Sequence, residues 1–496
     1  MKAKYIWFML LGCIGFVACE SDDDNDGDMV VDIPLDAGNA DFSNFVAVGA
    51  SFTAGFTDGA LFIAAQENSF PNIMARQMAE AGGGEMTQPL TNDNIGGLTL
   101  GGVQIANPRL IFDGSGPVVL PGTPTTEVSN IVRGPFNNMG VPGAKSFHLI
   151  APGYGNVQGV ALGQANPYYA RMATDPNATI LGDAAAQGAS FFTISEIGGN
   201  DVLGYATSGG AGVDQTGNFD PSTYGPNDIT DPQVFGATTE GIVATMVNAG
   251  GQGVIANVPY VTSLPYFTTV PHNPVPLDAA TAGLVNAGYA DYNNGLALAQ
   301  AGGLISGDEV IARTIAFAEG NNAVVIIDED LTDLSGLGLP SYRQATSEDL
   351  PVLTSAGFIG TLVDGNPLAI NGVTVPLEDQ WVLTATETAA VIAATDQYNT
   401  AIEGLASNFN LGFVDLKAIL QQASTSGYPF DDFFLTTDLV VGGLVSLDGI
   451  HLTARGYALM ANEFLLAIDE AYGSNFAASG SLAKAADYPV AYPVEF

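Results

Sequence analysis

Phe45-Val46-Ala47-Val48-Gly49-Ala50-Ser51 reads as a buried strand that runs straight into a tight turn. Four apolar residues follow one another without polar alternation, as a parallel strand covered on both faces requires. A glycine then frees the backbone to turn, and a serine follows. Ala189-Ser190-Phe191-Phe192-Thr193-Ile194-Ser195 repeats the pattern and leads into Ile197-Gly198-Gly199-Asn200-Asp201. Gly253-Val254-Ile255-Ala256-Asn257-Val258 is a third strand, stopped by Pro259, and Gly412-Phe413-Val414-Asp415-Leu416 a fourth. Helical spacing fills the intervals. Ser69-Phe70-Pro71 opens a helix that Ile73, Met74, Gln77 and Met78 continue. Further helices are predicted over 237–249, 279–301 (Tyr289, Tyr292 and Leu296 on one side), 386–406 and 453–472. Strands alternating with helices predict an α/β fold with a parallel sheet covered on both faces. In such sheets sites form outside the carboxyl ends of the strands, and Ser51 and Asn200 each lie just past one.

The remaining segments are irregular. Residues 82–135 are rich in Gly, Pro and Thr with short alternating stretches, which predicts a β-containing insertion closed by Asn138-Met139-Gly140-Val141-Pro142-Gly143. Residues 204–233 read as polar loop. A second insertion, 303–383, carries the hairpin signals Asp364-Gly365-Asn366 and Asn371-Gly372. Both insertions are expected to wall or cap a cleft. The main domain is placed at 41–475, with 476–496 as a tail.

The N-terminus is an address. Lys2 and Lys4 precede an apolar run, Ile6 to Val17, too short to span a bilayer. Phe16-Val17-Ala18-Cys19 resembles the lipobox of bacterial lipoproteins, which implies a signal peptide at 1–18 and lipidation of Cys19. Cys13, after Leu11-Gly12, is a second possible cleavage point; the polar turn immediately after Cys19 favours the latter. Residues 20–40 read as an acidic linker. Its start, Glu20-Ser21-Asp22-Asp23-Asp24-Asn25-Asp26, resembles the surface-export signal of Bacteroidetes lipoproteins, so an outer-membrane protein exposed at the cell surface is expected. No further cysteine exists, so the mature chain has neither disulfide nor thiol metal site. With 52 acidic and 12 basic residues the net charge is −40, a field that repels nucleic acid and anionic head groups. The membrane is therefore a partner only through the lipid anchor.

The chemistry rests on few residues. A serine hydroxyl needs a base, and histidine suits that work near neutral pH. Of the three histidines, His148 reads as a packing residue and His272 as a loop residue between prolines. His451 alone has an aspartate, Asp448, three residues before it in a turn that precedes a helix. Asp448 can fold back onto the imidazole and fix its tautomer. Oxyanion donors are available from the Asn200 amide and from the backbone N–H groups of Gly143 and Ser51. Taken singly each is weak: a serine after a strand is usually a helix cap, Gly-Gly-Asn-Asp a turn, Asp-x-x-His a surface pair. No cofactor is called for. Histidines this scattered give no metal centre, and the acidic loops 218–220 and 227–231 lack a twelve-residue calcium pattern.

Taken together, four blocks resemble the SGNH (GDSL) hydrolases: Phe45 to Gly55, Asn138 to Gly143, Ile197 to Asp201, and Asp448-Gly449-Ile450-His451 with the residues after it. The resemblance implies a flavodoxin-like three-layer α/β/α sandwich. It also implies Ser51 as nucleophile, Ser51, Gly143 and Asn200 as oxyanion hole, and His451 as a base held by Asp448. The chain departs from the pattern at Ala50, where the family has aspartate, and at Phe52, where it has leucine. Fold alone does not choose among lipid, short-acyl and acetylated-sugar esters. A catalytically weak surface lipoprotein that binds carbohydrate or lipid is the competing expectation.

Overall fold

Phe45–Gly49 forms the strand on which the fold is built. In the computed structural model, which describes residues 33–496, all five residues of this strand, β1, are buried. It pairs in parallel with Asn138–Gly140 (β2) on one side and Phe191–Ile194 (β3) on the other, Ala47 lying opposite both Asn138 and Thr193. Gln252–Ala256 (β4) pairs with β3, and Gly412–Val414 (β5) with β4. The spatial order is β2-β1-β3-β4-β5, the flavodoxin-like arrangement, in which the order reverses between β1 and β3. The crevice at that reversal lies beyond the carboxyl ends of β1 and β3, where Ser51 and Asn200 follow.

The helices that matter here are α1 (Ser51–Ala54), α2 (Phe70–Met78), α3 (Asn200–Thr207), α4 (Pro232–Asn248), α5 (Ala279–Ala301), α6 (Ala385–Phe409), α7 (Leu416–Thr425) and α8 (Ala454–Tyr472). On one face α2 packs on α8, and the Phe70 and Phe464 rings stack with centroids 4.9 Å apart. On the other face α4 packs on α6 through Phe235 and Tyr398, 4.2 Å apart. The helix starts are chemically explicit. Asp231 accepts the N–H groups of Gln233 and Val234, so α4 begins at Pro232, five residues before the predicted start. Thr384 and Glu387 form a reciprocal cap on α6, and Thr453 caps α8.

Three features differ from the sequence reading. The strand β2 was predicted only as the close of an insertion. Three residues show no usable periodicity, and its glycine is there for contact: a Cβ on Gly140 would lie 2.3 Å from Ala54 N. The segment 204–233 was read as loop throughout, yet α3 occupies its start. Helix α5 was grouped with the sheet, but it packs on the second insertion. Val285 and Tyr289 join Val325, Ile326, Val373 and Leu377 in a separate core, and the Tyr289 hydroxyl donates to Val373 O at 2.7 Å. Its buried face is real; nothing in a single helix says which partner covers it.

The first insertion contains two antiparallel pairs, Leu98–Leu100 with Val103–Ala106 and Leu110–Phe112 with Pro117–Val119; in the second Val325–Ile327 pairs with Tyr342–Gln344, while the hairpin signals at 364–366 and 371–372 are flanked only by the isolated bridges Leu362–Ile370 and Asn371–Val375. Asn39 N–H donates to Tyr472 O, so the chain is already held to the end of α8 there. In the C-terminal tail Tyr492 packs edge-on against Phe62 at 4.9 Å. The expected signal peptide, Cys19 and linker residues 20–32 lie outside the described residues. Among the described residues no helix is long and apolar enough to cross a membrane.

Phe191 sits at the centre of this packing, fully buried, with Phe42 and Tyr472 edge-on at 5.1 and 5.5 Å. Phe191→Ala removes that ring and leaves a cavity. It is expected to lower stability by about 3–5 kcal/mol, measured as a shift of the urea midpoint without a change of slope.

Candidate active site

Ser51 is the first residue of α1, at the carboxyl end of β1, and is 8% exposed. The turn that presents it is too crowded for side chains. A Cβ on Gly49 would stand 2.2 Å from Thr53 Oγ1 and 2.7 Å from Ser195 O. Asn138 on β2 braces the far side, its Nδ2 donating to Thr53 O at 2.7 Å while Val141 N–H donates to Gly49 O at 3.1 Å. Ala50 offers no side-chain cap. A carboxylate comes from Glu196, two residues beyond β3: its Oε1 accepts the N–H groups of Ala50 at 2.6 Å and Thr53 at 2.9 Å. Glu196 has φ +46°, a conformation that costs a side-chain-bearing residue on the order of 1 kcal/mol and is retained only where the surroundings impose it. Burial pushes its carboxyl up to about 7, against the pull of those hydrogen bonds.

The histidine arrives from the opposite end of the chain. His451 Nδ1 and Asp448 Oδ2 are 2.8 Å apart. Asp448 also accepts the N–H groups of Gly59 (2.7 Å), Ile450 (2.9 Å) and His451 (2.8 Å) and the Ser446 hydroxyl (3.1 Å). Burial opposes the charge, yet His451 and the N–H donors hold this carboxyl well below the usual carboxylate range. An ionised carboxylate only accepts, so the proton on the ring sits at Nδ1 and Nε2 is left free as a base.

The loop that bears His451 is fastened to the segment just after Ser51. Thr57 Oγ1 donates to Leu452 O (2.8 Å), Ser446 Oγ accepts Asp58 N–H (3.0 Å), and the Tyr457 hydroxyl donates to Phe56 O (2.5 Å). The His451 ring lies against Phe56 at 4.6 Å and edge-on to Phe52 at 5.8 Å between centroids. Phe52 thereby fills a packing role beside the imidazole. Among the described residues, no hydrogen bond joins Ser51 Oγ to His451; such contacts commonly tighten only when substrate is bound.

Asn200 is joined to the residue after Gly143. Asn200 Nδ2 donates to Ala144 O at 2.9 Å, and the buried Asp201 carboxylate accepts Ser146 N–H at 2.9 Å and the Ser146 hydroxyl at 2.7 Å. Gly143 has φ +79°, and its turn is held by Asn166, whose Nδ2 donates to Pro142 O at 2.8 Å. The glycine serves backbone conformation there, since a Cβ would meet nothing closer than 3.9 Å. Among the described residues neither Ser51 N–H nor Gly143 N–H has a protein acceptor. Both N–H groups are thus unpaired donors within the protein.

The other candidates fall elsewhere. His148 stacks on Tyr154 at 4.2 Å, its Nδ1 accepting Lys145 N–H, and burial together with the Lys145 charge pushes it down to about 4. His272 is half-buried in its loop. Asp220, Asp228 and Asp231 spend their carboxylates on backbone N–H groups nearby. Among the described residues no three His, Cys, Asp or Glu side chains gather as a metal site. The insertions meet the site only at its rim. Leu110 N–H donates to Asp58 O, and Leu353 lies against Gly449; the cleft below Ser51 is walled by core helices and the loops after β4 and β5.

Sequence reasoning did not find Glu196, Gly59, Ser446 or Asn166. No family model matches the chain, and no curated protein matches it. Among solved structures it is similar to variants of an acetyl-xylooligosaccharide esterase from Geobacillus stearothermophilus. One has 10% identity and a TM-score of 0.31 over 87% of this chain and 96% of that one. Another, described as an acetylxylan esterase, has 10% identity and a TM-score of 0.32 over 86% and 95%. That likeness is too slight to carry a substrate across.

Glu196 offers a direct check on the turn. Its carboxyl is raised in the folded chain, so its contribution to stability is complete below the unfolded value, about 4.5, and is lost as pH rises through about 7. Glu196→Gln keeps the acceptor oxygen without the charge. Its thermal midpoint is expected to match wild type near pH 5 and to exceed it near pH 8. Glu196→Ala strands two N–H groups and is expected to be less stable at both, by about 1–3 kcal/mol.

Proposed function

We propose that the chain is a serine hydrolase that cleaves carboxylic esters through an acyl-enzyme, in the manner of the SGNH hydrolases its motifs resemble. The observation that supports this best is the pairing of Asp448 with His451 on a loop bonded to residues 56–59, just after Ser51. In this reading Ser51 Oγ attacks the ester carbonyl while His451 Nε2 takes its proton. The imidazolium is stabilised by Asp448. Negative charge on the carbonyl oxygen is met by Ser51 N–H, Gly143 N–H and the second proton of Asn200 Nδ2, the first being held by Ala144 O. His451 then gives its proton to the departing alcohol oxygen. Water attacks the Ser51 ester by the same steps in reverse order, releasing the acid. No cofactor takes part.

The address belongs to the same proposal: cleavage before Cys19, lipidation there, and display on the outer membrane rest on the resemblance of residues 16–26. Metabolic labelling with a fatty acid, lost in Cys19→Ala, is the test of that part.

Hydrolysis of a p-nitrophenyl ester series by the mature chain tests the chemistry. Ser51→Ala and His451→Ala are expected to abolish turnover. Asn200→Ala is expected to lower kcat by about 10²–10³-fold, as loss of one oxyanion donor does. Turnover undiminished in Ser51→Ala would remove the proposal.

A further inference from the structure

Beside Ser51 the structure holds a cleft, open to solvent at one side, with a cavity volume of about 90 Å3. Its mouth is formed by Ser51, Gly199 and Asn200. Its walls are aliphatic: Leu203 of α3, Val261 beyond β4, Leu420 of α7, and Leu444, Leu459 and Met460 on or before α8. We propose that this cleft is an acyl-chain pocket, and that the ester acid the enzyme takes is an unbranched aliphatic acid of several carbons rather than acetate. The proposal rests on the esterase reading for its chemistry, but the pocket itself can be tested without it.

Three observations carry it. First, the cleft is continuous with the candidate nucleophile, so an acyl group on Ser51 Oγ has its chain directed at these walls. Second, the cleft has almost nothing to offer a sugar. Of its two carboxyl groups, Glu196 has Oε1 committed to Ala50 and Thr53 N–H and only Oε2 unpartnered, and Glu463 Oε1 accepts the Tyr428 hydroxyl at 2.8 Å. Burial pushes the Glu463 carboxyl up as well, toward its neutral form. A hydroxylated ligand would lose its water here without replacement hydrogen bonds. Third, an acetyl group has one methyl and reaches little of the aliphatic wall, whereas a chain of several carbons lies along Leu203, Leu420 and Leu459. Each buried methylene is worth about 0.8 kcal/mol, or roughly fourfold in kcat/KM where the chain is held in the transition state.

The test compares p-nitrophenyl acetate, butyrate and octanoate on the mature chain. The expected result is a rise in kcat/KM from acetate to octanoate of at least about 100-fold. Leu420→Trp and Leu203→Trp fill the cleft from two walls, and Leu203, only partly buried, tolerates bulk even if Leu420 does not. Either is expected to lower octanoate hydrolysis at least about tenfold with acetate hydrolysis within about twofold. Ser51-dependent hydrolysis that is equal for all chain lengths, or unaltered octanoate hydrolysis in both tryptophan variants, overturns the pocket and leaves the esterase reading standing. A second measurement does not need turnover. Ser51→Ala protein should bind a neutral fluorescent fatty-acid methyl ester that methyl octanoate displaces, and Leu203→Trp in that background should weaken the binding at least about tenfold. Binding that fails, or that the tryptophan leaves unchanged, overturns the pocket whatever the activity. Absence of Ser51-dependent hydrolysis of every ester, with binding intact, overturns the esterase reading alone.

Discussion

The whole arrangement depends on one junction: the loop of residues 446–457 is bonded to residues 56–59. Gly59 N–H meets Asp448, Thr57 meets Leu452 O, and Tyr457 meets Phe56 O. These segments lie almost the full chain apart. Closing so long a loop costs little more entropy than closing one half its length, since the cost grows only with the logarithm of length. The core of the sheet supports the closure, because α8 follows the loop directly and packs on α2 and β5. Asp448 takes part of its support from Gly59. The pair itself is formed within the C-terminal loop, and Gly59 N–H adds a donor to its carboxylate from the segment after Ser51.

The second constraint is crowding at the ends of β1 and β2. Gly49 and Gly140 are required by contact: a Cβ on either would fall within 2.3 Å of the α1 segment. Close approach of this kind removes freedom from the Ser51 turn before any substrate arrives. Glu196 adds to it, holding two N–H groups of the turn from a backbone conformation it would not adopt unaided. Geometry kept by packing rather than by flexible side chains is what an oxyanion site needs, because donors that must reorganise lose most of their worth.

Much of this was legible from residue order, and the parts that were not share a cause. The buried runs 45–48, 191–194 and 253–256 announce a parallel sheet because they lack polar alternation, and their order along the chain is the order in which the sheet is wound. Ser51, Asn200, Asp448 and His451 became candidates through their residue types and the resemblance of the blocks that hold them to one family, and of these the structure pairs Asp448 with His451. Glu196 could not. A glutamate just after a strand is ordinary until the loss of a cap at Ala50 is set beside it, and only three dimensions bring the two together. The same holds for β2, too short to show a period, and for α5, whose apolar stripe fits equally well on the sheet or on the insertion. Asn166 and Ser446 act through single long-range hydrogen bonds, which leave no mark on local pattern.

The charge of the molecule and the character of its cleft point in opposite directions, and the contrast is physically useful. The chain carries 52 acidic against 12 basic residues, yet the cleft is lined with aliphatic carbon, and its two carboxyl groups are drawn toward neutrality by burial. A neutral ester can enter such a site without opposing the field. On the proposed reaction, the acid released at Ser51 ionises as it meets water, and the same field then drives it outward. An apolar pocket holds the chain of substrate and product alike, so binding energy alone would retain both. Repulsion acts only on the product. The acidic surface therefore separates the two at the step where the pocket cannot.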